Sequence, residues 1–276
     1  MLTVFTKMHG LGNDFVVLDN RSGNLIITAQ SARALANRRE GVGFDQMLII
    51  ESPSSSGFDL ALRIINSDGS EVEHCGNGAR CVAAYAHSRG LTDADPLNLE
   101  LPTRSISARL LDDARVAVNM GEPDFEPNVI PYLSQDYRAV YTLDLDSGPV
   151  EFGAVSMGNP HAVLRTDAIA QLDLAALAVP IQAHAAFPEG VNVGVMSIQS
   201  RQSMQLRVYE RGVGETQACG TGACAAVAVA RQQGLVDSCV TVELPGGHLD
   251  IEWTGPGSAL WMTGPAVFVF DGEIEI

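Results

Sequence analysis

The sequence predicts an α/β (α+β) protein of two pseudo-symmetric domains related by duplication, each a curved, barrel-like, mostly antiparallel sheet around a central helix. Three observations carry this expectation. The phrase Cys-Gly-(Asn/Thr)-Gly-Ala occurs at Cys75 and again at Cys219, and each copy runs into an Ala-rich apolar stretch ending in Gly-Leu, with Gly90 matching Gly234 and Leu91 matching Leu235. The repeat also extends upstream: Gly12-Asn13 echoes Gly158-Asn159, and Gln46 falls opposite Asn192, both at an offset of 146 (159−13 and 192−46). Asn66 and Glu210 each precede their cysteine by nine residues (75−66 and 219−210). Finally, 276 residues suffice for two domains of roughly 100–150 residues, each with its own core. Two copies at this spacing make a duplicated domain and not a solenoid.

The elements follow from local pattern. Alternating or β-branched runs at Phe15–Asp19, Met47–Glu51, Leu97–Leu101, Val116–Met120, Met204–Tyr209 and Val240–Leu244, bounded by Gly, Pro, Asn and Ser, read as strands. Helices are expected over Ala29–Arg39, Gly78–Arg89, Ile169–Ala178 and Gly222–Gln233. Ala223 to Ala230 is apolar throughout and built of small side chains, so this helix must be enclosed and sheet can wrap it closely. Ser52–Gly57 reads as a hairpin loop, and the proline-containing Glu122–Tyr137 as the domain connection. The last dozen residues follow the end of the second copy and are expected to return to the first domain as a strand. The boundaries become 1–119 plus 265–276 for one half and 120–264 for the other.

Composition narrows the function. The formal charge is −16, with 33 acidic against 17 basic side chains, which argues against nucleic acid or an anionic membrane surface as partner. No apolar run approaches the ~20 residues that span a bilayer and no signal-peptide pattern opens the chain, so a cytoplasmic protein is expected. Five cysteines, an odd number, do not suggest a secreted disulfide scaffold. Lys7 is the only lysine, and it lies in a strand before a Gly-rich turn; a pyridoxal phosphate enzyme needs a lysine for its Schiff base, so chemistry without that cofactor is expected.

Cys81, Cys224 and Cys239 read as small hydrophobes. Cys75 and Cys219 differ, because each opens a polar Gly-rich turn at the start of a helix, where exposed N–H groups and the helix dipole favour a carboxylate beside a thiol of lowered pKa. Zinc binding finds no Cys-x-x-Cys or His at ligand spacing, and a redox pair lacks the exchange motif. Glu210 and Arg211 stand side by side, able to take the ammonium and the carboxylate of one amino-acid group. Asn13, Gln46, Asn66, Asn77, Asn159 and Asn192 occupy turn positions; turn asparagines are commonly structural, but at repeat-related places they suggest a neutral lining for a zwitterion. His161 is either a base in its own right or a partner that tunes a cysteine, and the second role is favoured.

Six segments carry a family resemblance: Lys7-Met-His-Gly-Leu-Gly-Asn-Asp-Phe15, Gly43-Phe-Asp-Gln46, Asn66-Ser-Asp-Gly-Ser-Glu-Val-Glu-His-Cys75-Gly-Asn-Gly-Ala-Arg-Cys81, Ser156-Met-Gly-Asn-Pro-His161, Gly190-Val-Asn-Val193 and Glu210-Arg-Gly-Val-Gly-Glu-Thr-Gln-Ala-Cys219-Gly-Thr-Gly-Ala223. Over nearly the whole chain the sequence resembles the diaminopimelate epimerases of lysine and peptidoglycan biosynthesis. The resemblance implies interconversion of LL- and meso-diaminopimelate without cofactor or metal, by a homodimer. It makes Cys75 and Cys219 the acid/base residues, and Asn13, Gln46, Asn66, Asn159, Asn192, Glu210 and Arg211 substrate ligands together with Gly76, Asn77, Gly220 and Thr221. His161 and Glu210 then help to set the thiol pKa values. Two rivals remain at this stage: a racemase of the proline racemase type, against which the Glu210–Arg211 pair argues, and a non-catalytic amino-acid-binding protein, which has no use for two matched thiols.

Overall fold

The Gly-Asn turns, the alternating strands and the two Ala-rich helices build, in the computed structural model, two units: Met1–Asn119 with Thr263–Ile276, and Met120–Met262. The structure describes residues 2–72, 76–134 and 136–276. In the first unit the order is β1 (Leu2–Gly10), β2 (Asn13–Asp19), α1 (Ala29–Ala36), β3 (Gln46–Glu51), β4 (Leu60–Asn66), β5 (Glu71–Val72), α2 (Gly76–Ser88), β6 (Leu97–Glu100), β7 (Ser105–Leu110) and β8 (Val116–Gly121). In the second it is β9 (Tyr141–Leu145), β10 (Gly148–Ser156), β11 (Pro160–Arg165), a 3₁₀ turn (Ile169–Gln171), α3 (Leu174–Gln182), β12 (Asn192–Ser200), β13 (Ser203–Glu210), β14 (Gly214–Thr216), α4 (Gly220–Gln232), β15 (Cys239–Leu244), β16 (Gly247–Glu252) and β17 (Leu260–Gly264). The chain then returns as β18 (Val267–Glu275), antiparallel to β1 with Leu2 opposite Glu275.

Strand registers repeat between the units. β2 runs parallel to β3 with Phe15 opposite Gln46, and β11 runs parallel to β12 with His161 opposite Asn192, again an offset of 146 (161−15 and 192−46). β3 pairs antiparallel with β4 and β12 with β13, while β4 lies parallel to β6 and β13 to β15. Each unit is therefore the mixed, mostly antiparallel α/β fold expected from the repeat.

Each sheet curves over one helix. α2 packs on β1, β2, β3 and β7, and every residue from Asn77 to Ala86 is buried. α4 packs on β10, β11, β12, β13 and β16, and is buried from Thr221 to Ala230. The approach is close: a Cβ at Gly153 of β10 would come within 2.4 Å of Val229 Cγ1. On the other face of the first sheet, Ala32 and Ala36 of α1 pack with Val16, Leu18, Phe44, Met47, Ile49 and Ile65. In the second unit, Tyr132, Tyr141, Phe152 and Phe187 form an aromatic cluster with centroids 4.8–5.7 Å apart. Burial of side chains of this size contributes about 1.5–3 kcal/mol each, so each unit carries a substantial core of its own.

All four helix expectations need adjustment. α1 ends at Ala36 and not Arg39, because the Asn37 side chain turns back to accept from the N–H groups of Arg39 and Glu40. The helix expected over Ile169–Ala178 divides into a 3₁₀ turn and α3, since Asp173 caps α3 by accepting from Ala176 N–H at 3.0 Å. α3 also continues through Pro180, which stands in its last turn. Finally, α2 and α4 begin two residues earlier than expected, at Gly76 and Gly220, the residues that follow the two cysteines.

Candidate active site

The candidate residues of the first unit gather where β2, β3, β4 and α2 begin or end. The β1–β2 connection is a two-residue turn in which Leu11 and Gly12 both have positive φ, +57° and +86°, the conformation of a type I′ hairpin. This turn delivers Asn13 as the first residue of β2. Asn13 Nδ2 donates to Asp45 Oδ2 at 2.9 Å, and its Oδ1 accepts from Asn77 Nδ2 at 3.4 Å. Gln46 and Asn66 lie opposite one another in the β3–β4 ladder, with Gln46 Nε2 donating to Asn66 Oδ1 at 3.0 Å. Ser70 holds Asn66 in turn through its Oγ at 3.1 Å. Gly76 and Asn77 form the first turn of α2. Cys75 lies outside the described residues.

The second unit assembles the matching set. Asn159 sits in the β10–β11 connection, with its Oδ1 3.0 Å from His161 Nε2 and its Nδ2 donating to Thr221 Oγ1 at 3.3 Å. Thr221 Oγ1 lies 3.6 Å from Cys219 Sγ, so His161, Asn159, Thr221 and the thiol form one chain of contacts. Asn192 is buried, donates to Pro160 O at 3.1 Å and accepts the Arg211 backbone N–H at 2.9 Å. Arg211 extends its guanidinium to Glu189 O at 2.6 Å. Thr216 Oγ1 donates to Glu210 Oε1 at 2.6 Å. Cys219 itself is the N-cap of α4, with Gly220 and Thr221 as the first helical residues.

The thiol's electrostatics depart from the sequence expectation. A helix N-terminus lowers a thiol pKa, and here the Gly222 N–H and the Thr221 hydroxyl pull in that direction. Burial is the larger effect, and with the neighbouring Glu210 carboxylate it pushes the Cys219 thiol well above its ordinary range. Cys219 is 4 % exposed, so little water is available to stabilise a thiolate. In this arrangement Cys219 carries its proton. His161, expected to tune a cysteine, stands against Asn159 and is linked to Cys219 through Asn159 and Thr221.

Several residues that support the site were not singled out in the sequence. Asp45 holds Asn13, and Thr216 holds Glu210. Gln182, at the end of α3, donates to Val191 O and Tyr209 O at 3.0 and 3.2 Å, fixing the residues that precede Asn192 and Glu210. Thr216 was within reach of sequence reasoning, because the Gly212-Val-Gly214 turn folds β14 back onto β13. Among the described residues, no group of three or more His, Cys, Asp or Glu is placed to hold a metal ion.

The family model for diaminopimelate epimerase matches residues 5–126 and 153–269. The chain belongs to the diaminopimelate epimerase family. A diaminopimelate epimerase from Pseudomonas syringae pv. syringae is 49% identical over 276 residues, all of both chains. Among solved structures, a phenazine biosynthesis protein of the PhzF family from Bacillus anthracis is similar over the full length of both chains, with a TM-score of 0.69 and 16% identity. A hydroxyproline epimerase from Agrobacterium vitis, with bound trans-4-hydroxy-L-proline, also has a TM-score of 0.69 and 16% identity, over 99% of this chain and 92% of that one. At such identities the structural likeness is one of fold. Assignment to the epimerase family rests on the sequence match, which spans both half-sites.

Proposed function

We propose that this member of the diaminopimelate epimerase family interconverts LL- and meso-diaminopimelate, with Cys75 and Cys219 as the two acid/base groups at one α-carbon. The observation that carries the reading is the duplication at the helix starts. α2 and α4 each begin at the glycine after a cysteine and run thirteen residues, at an offset of 144 (220−76). An α-proton beside a carboxylate is very weakly acidic, and inversion requires removal on one face with delivery on the other. One cysteine acts as thiolate and removes the proton, and the other, as thiol, supplies one; the reverse reaction exchanges the roles. The protonated state favoured at Cys219 suits the delivering role. N–H groups of the two Gly-rich turns would meet negative charge developing on the carboxylate, an oxyanion-hole contribution.

The same reading makes Asn13, Gln46, Asn66, Asn77, Asn159, Asn192, Glu210 and Arg211 substrate ligands together with Gly76, Gly220 and Thr221, and gives His161 and Glu210 a part in tuning the thiols. Glu210 and Arg211 suit the distal amino-acid group, which explains how one centre is chosen for reaction. Catalysis needs no pyridoxal phosphate: Lys7, the only lysine, has its ammonium engaged by Asp14 and by the Gly43 carbonyl. Reduced thiols suit the cytoplasm. A homodimer is supported by a strip on neighbouring β1 and β18, where Leu2, Val4, Val267, Phe268, Val269 and Phe270 are all exposed. Chiral chromatography of LL-diaminopimelate incubated with purified protein, without added cofactor, tests the activity. Meso product is expected, and its absence would refute the reading.

A further inference from the structure

Beside Asn13 lies a cluster of charges that the reaction itself does not use. Arg38 donates to both carboxylate oxygens of Asp14, at 2.7 and 2.9 Å, and to Asp45 Oδ1 at 2.8 Å. Lys7 Nζ donates to Asp14 Oδ2 at 2.5 Å. Asp45 N–H is held by Asp14 Oδ1 at 3.0 Å, and Asp45 Oδ2 accepts from Asp14 N–H at 3.1 Å and from Asn13 Nδ2 at 2.9 Å. Two carboxylates thus face two cations, and the cluster is charge-balanced. An asparagine amide is nearly symmetric in shape, and either end can face a polar neighbour. A carboxylate tolerates only the NH₂ end. With Nδ2 committed to Asp45, Asn13 Oδ1 faces Asn77 in the first turn of α2.

The second unit shows that the fold does not require these charges. At the offset of 146, Lys7, Asp14 and Asp45 correspond to Gly153, Pro160 and Val191 (153−7, 160−14 and 191−45), yet the same strands form in the same register. There Asn159 is held by Thr221 and His161 instead. We propose that Asp45, clamped by Arg38, is a positioning residue that fixes the orientation of the Asn13 amide for substrate binding. The inference rests on the proposed role of Asn13 as a substrate ligand.

A double-mutant cycle on LL-diaminopimelate turnover tests it. Asp45→Asn is expected to lower kcat/KM by about tenfold, the scale of one hydrogen bond to a charged group, chiefly through KM. Because Asp45 acts through Asn13, the Asn13→Ala/Asp45→Asn double variant should fall within about twofold of Asn13→Ala alone. Factors that multiply, or an unchanged kcat/KM in Asp45→Asn, would overturn the proposal. If Asp45→Asn fails to fold, Arg38→Gln takes its place in the cycle, with a smaller loss expected and the same criterion of non-additivity. A wild-type protein that does not turn over LL-diaminopimelate refutes the proposed function, and the inference is then decided by ¹⁵N spectra. The Asn13 side-chain amide, identified by its loss in Asn13→Ala, should shift and exchange faster with solvent in Asp45→Asn; an unmoved resonance would overturn the proposal.

Discussion

At the scale of single residues, opposing forces meet at Cys219. Burial and the Glu210 carboxylate outweigh the helix N-terminus and Thr221, so the folded thiol titrates higher than an unfolded one. An unfolded cysteine loses its proton near ~8.5. Between that pH and the folded value the native state binds a proton that the unfolded chain has released, so the stabilisation is complete below ~8.5 and declines as pH rises beyond it. The thermal midpoint of the wild type should therefore fall above that pH, and Cys219→Ala should flatten the decline; parallel profiles would contradict the buried-thiol account. For activity, Cys75→Ala and Cys219→Ala are each expected to retain no more than a small percentage of epimerase turnover with the fold intact by circular dichroism. Substantially more residual activity in either would end the two-base assignment. The residues proposed to bear the chemistry stand out in the sequence because the duplication marks them twice: Cys219 with Cys75, Asn159 with Asn13, Asn192 with Gln46. Asp45 and Gln182 do not, because Asp45 holds Asn13 and Gln182 holds the neighbours of Asn192 and Glu210, and neither residue type recurs at the matching place in the other copy. The direction of the Cys219 shift was also illegible, since burial depends on how closely β13 and α4 pack around the thiol.

At the scale of elements, the start of α4 sets the geometry. Glycine is a poor helix former, so the pattern alone placed the helix at Gly222; the structure begins it at Gly220, the residue after Cys219. The second glycine of this turn, Gly222, has a steric role. A Cβ at Gly222 would stand 2.9 Å from Val208 Cγ2 and 3.2 Å from Cys219 Sγ. Gly222→Ala must therefore move the thiol or β13. We expect a loss of kcat of at least about tenfold, and a destabilisation of about 1–3 kcal/mol typical of overpacking, read by turnover and by urea denaturation. Wild-type turnover in that variant would show that the thiol's position is not set by this contact. The central helices and, beside them, β2, β3 and β13 were readable from the residue pattern, whereas β7, β10, β11, β12 and β16 were not, and α3 was misplaced because Asp173, an N-cap, was read as helix interior.

At the scale of the whole molecule, the uncovered apolar strip on β1 and β18 is the feature a soluble monomer would not be expected to keep. Phe268 and Phe270, 41% and 50% exposed, are its largest members. Sedimentation equilibrium should give twice the chain mass of 29.3 kDa for the wild type, and a single chain for Phe268→Glu/Phe270→Glu. A wild type that sediments as one chain would remove the dimer from the account. The duplication that defines the fold also defines the central claim, that two thiols in related settings serve opposite faces of one carbon. Its most direct test follows LL-diaminopimelate in deuterium oxide, with the early distribution of label read by mass spectrometry and NMR. The account predicts that meso product carries one solvent deuterium, at the inverted α-carbon, while recovered LL substrate stays largely unlabelled, because the delivered proton comes from the thiol that did not remove the first. Product free of deuterium, or label entering substrate and product equally from the earliest times, would contradict it.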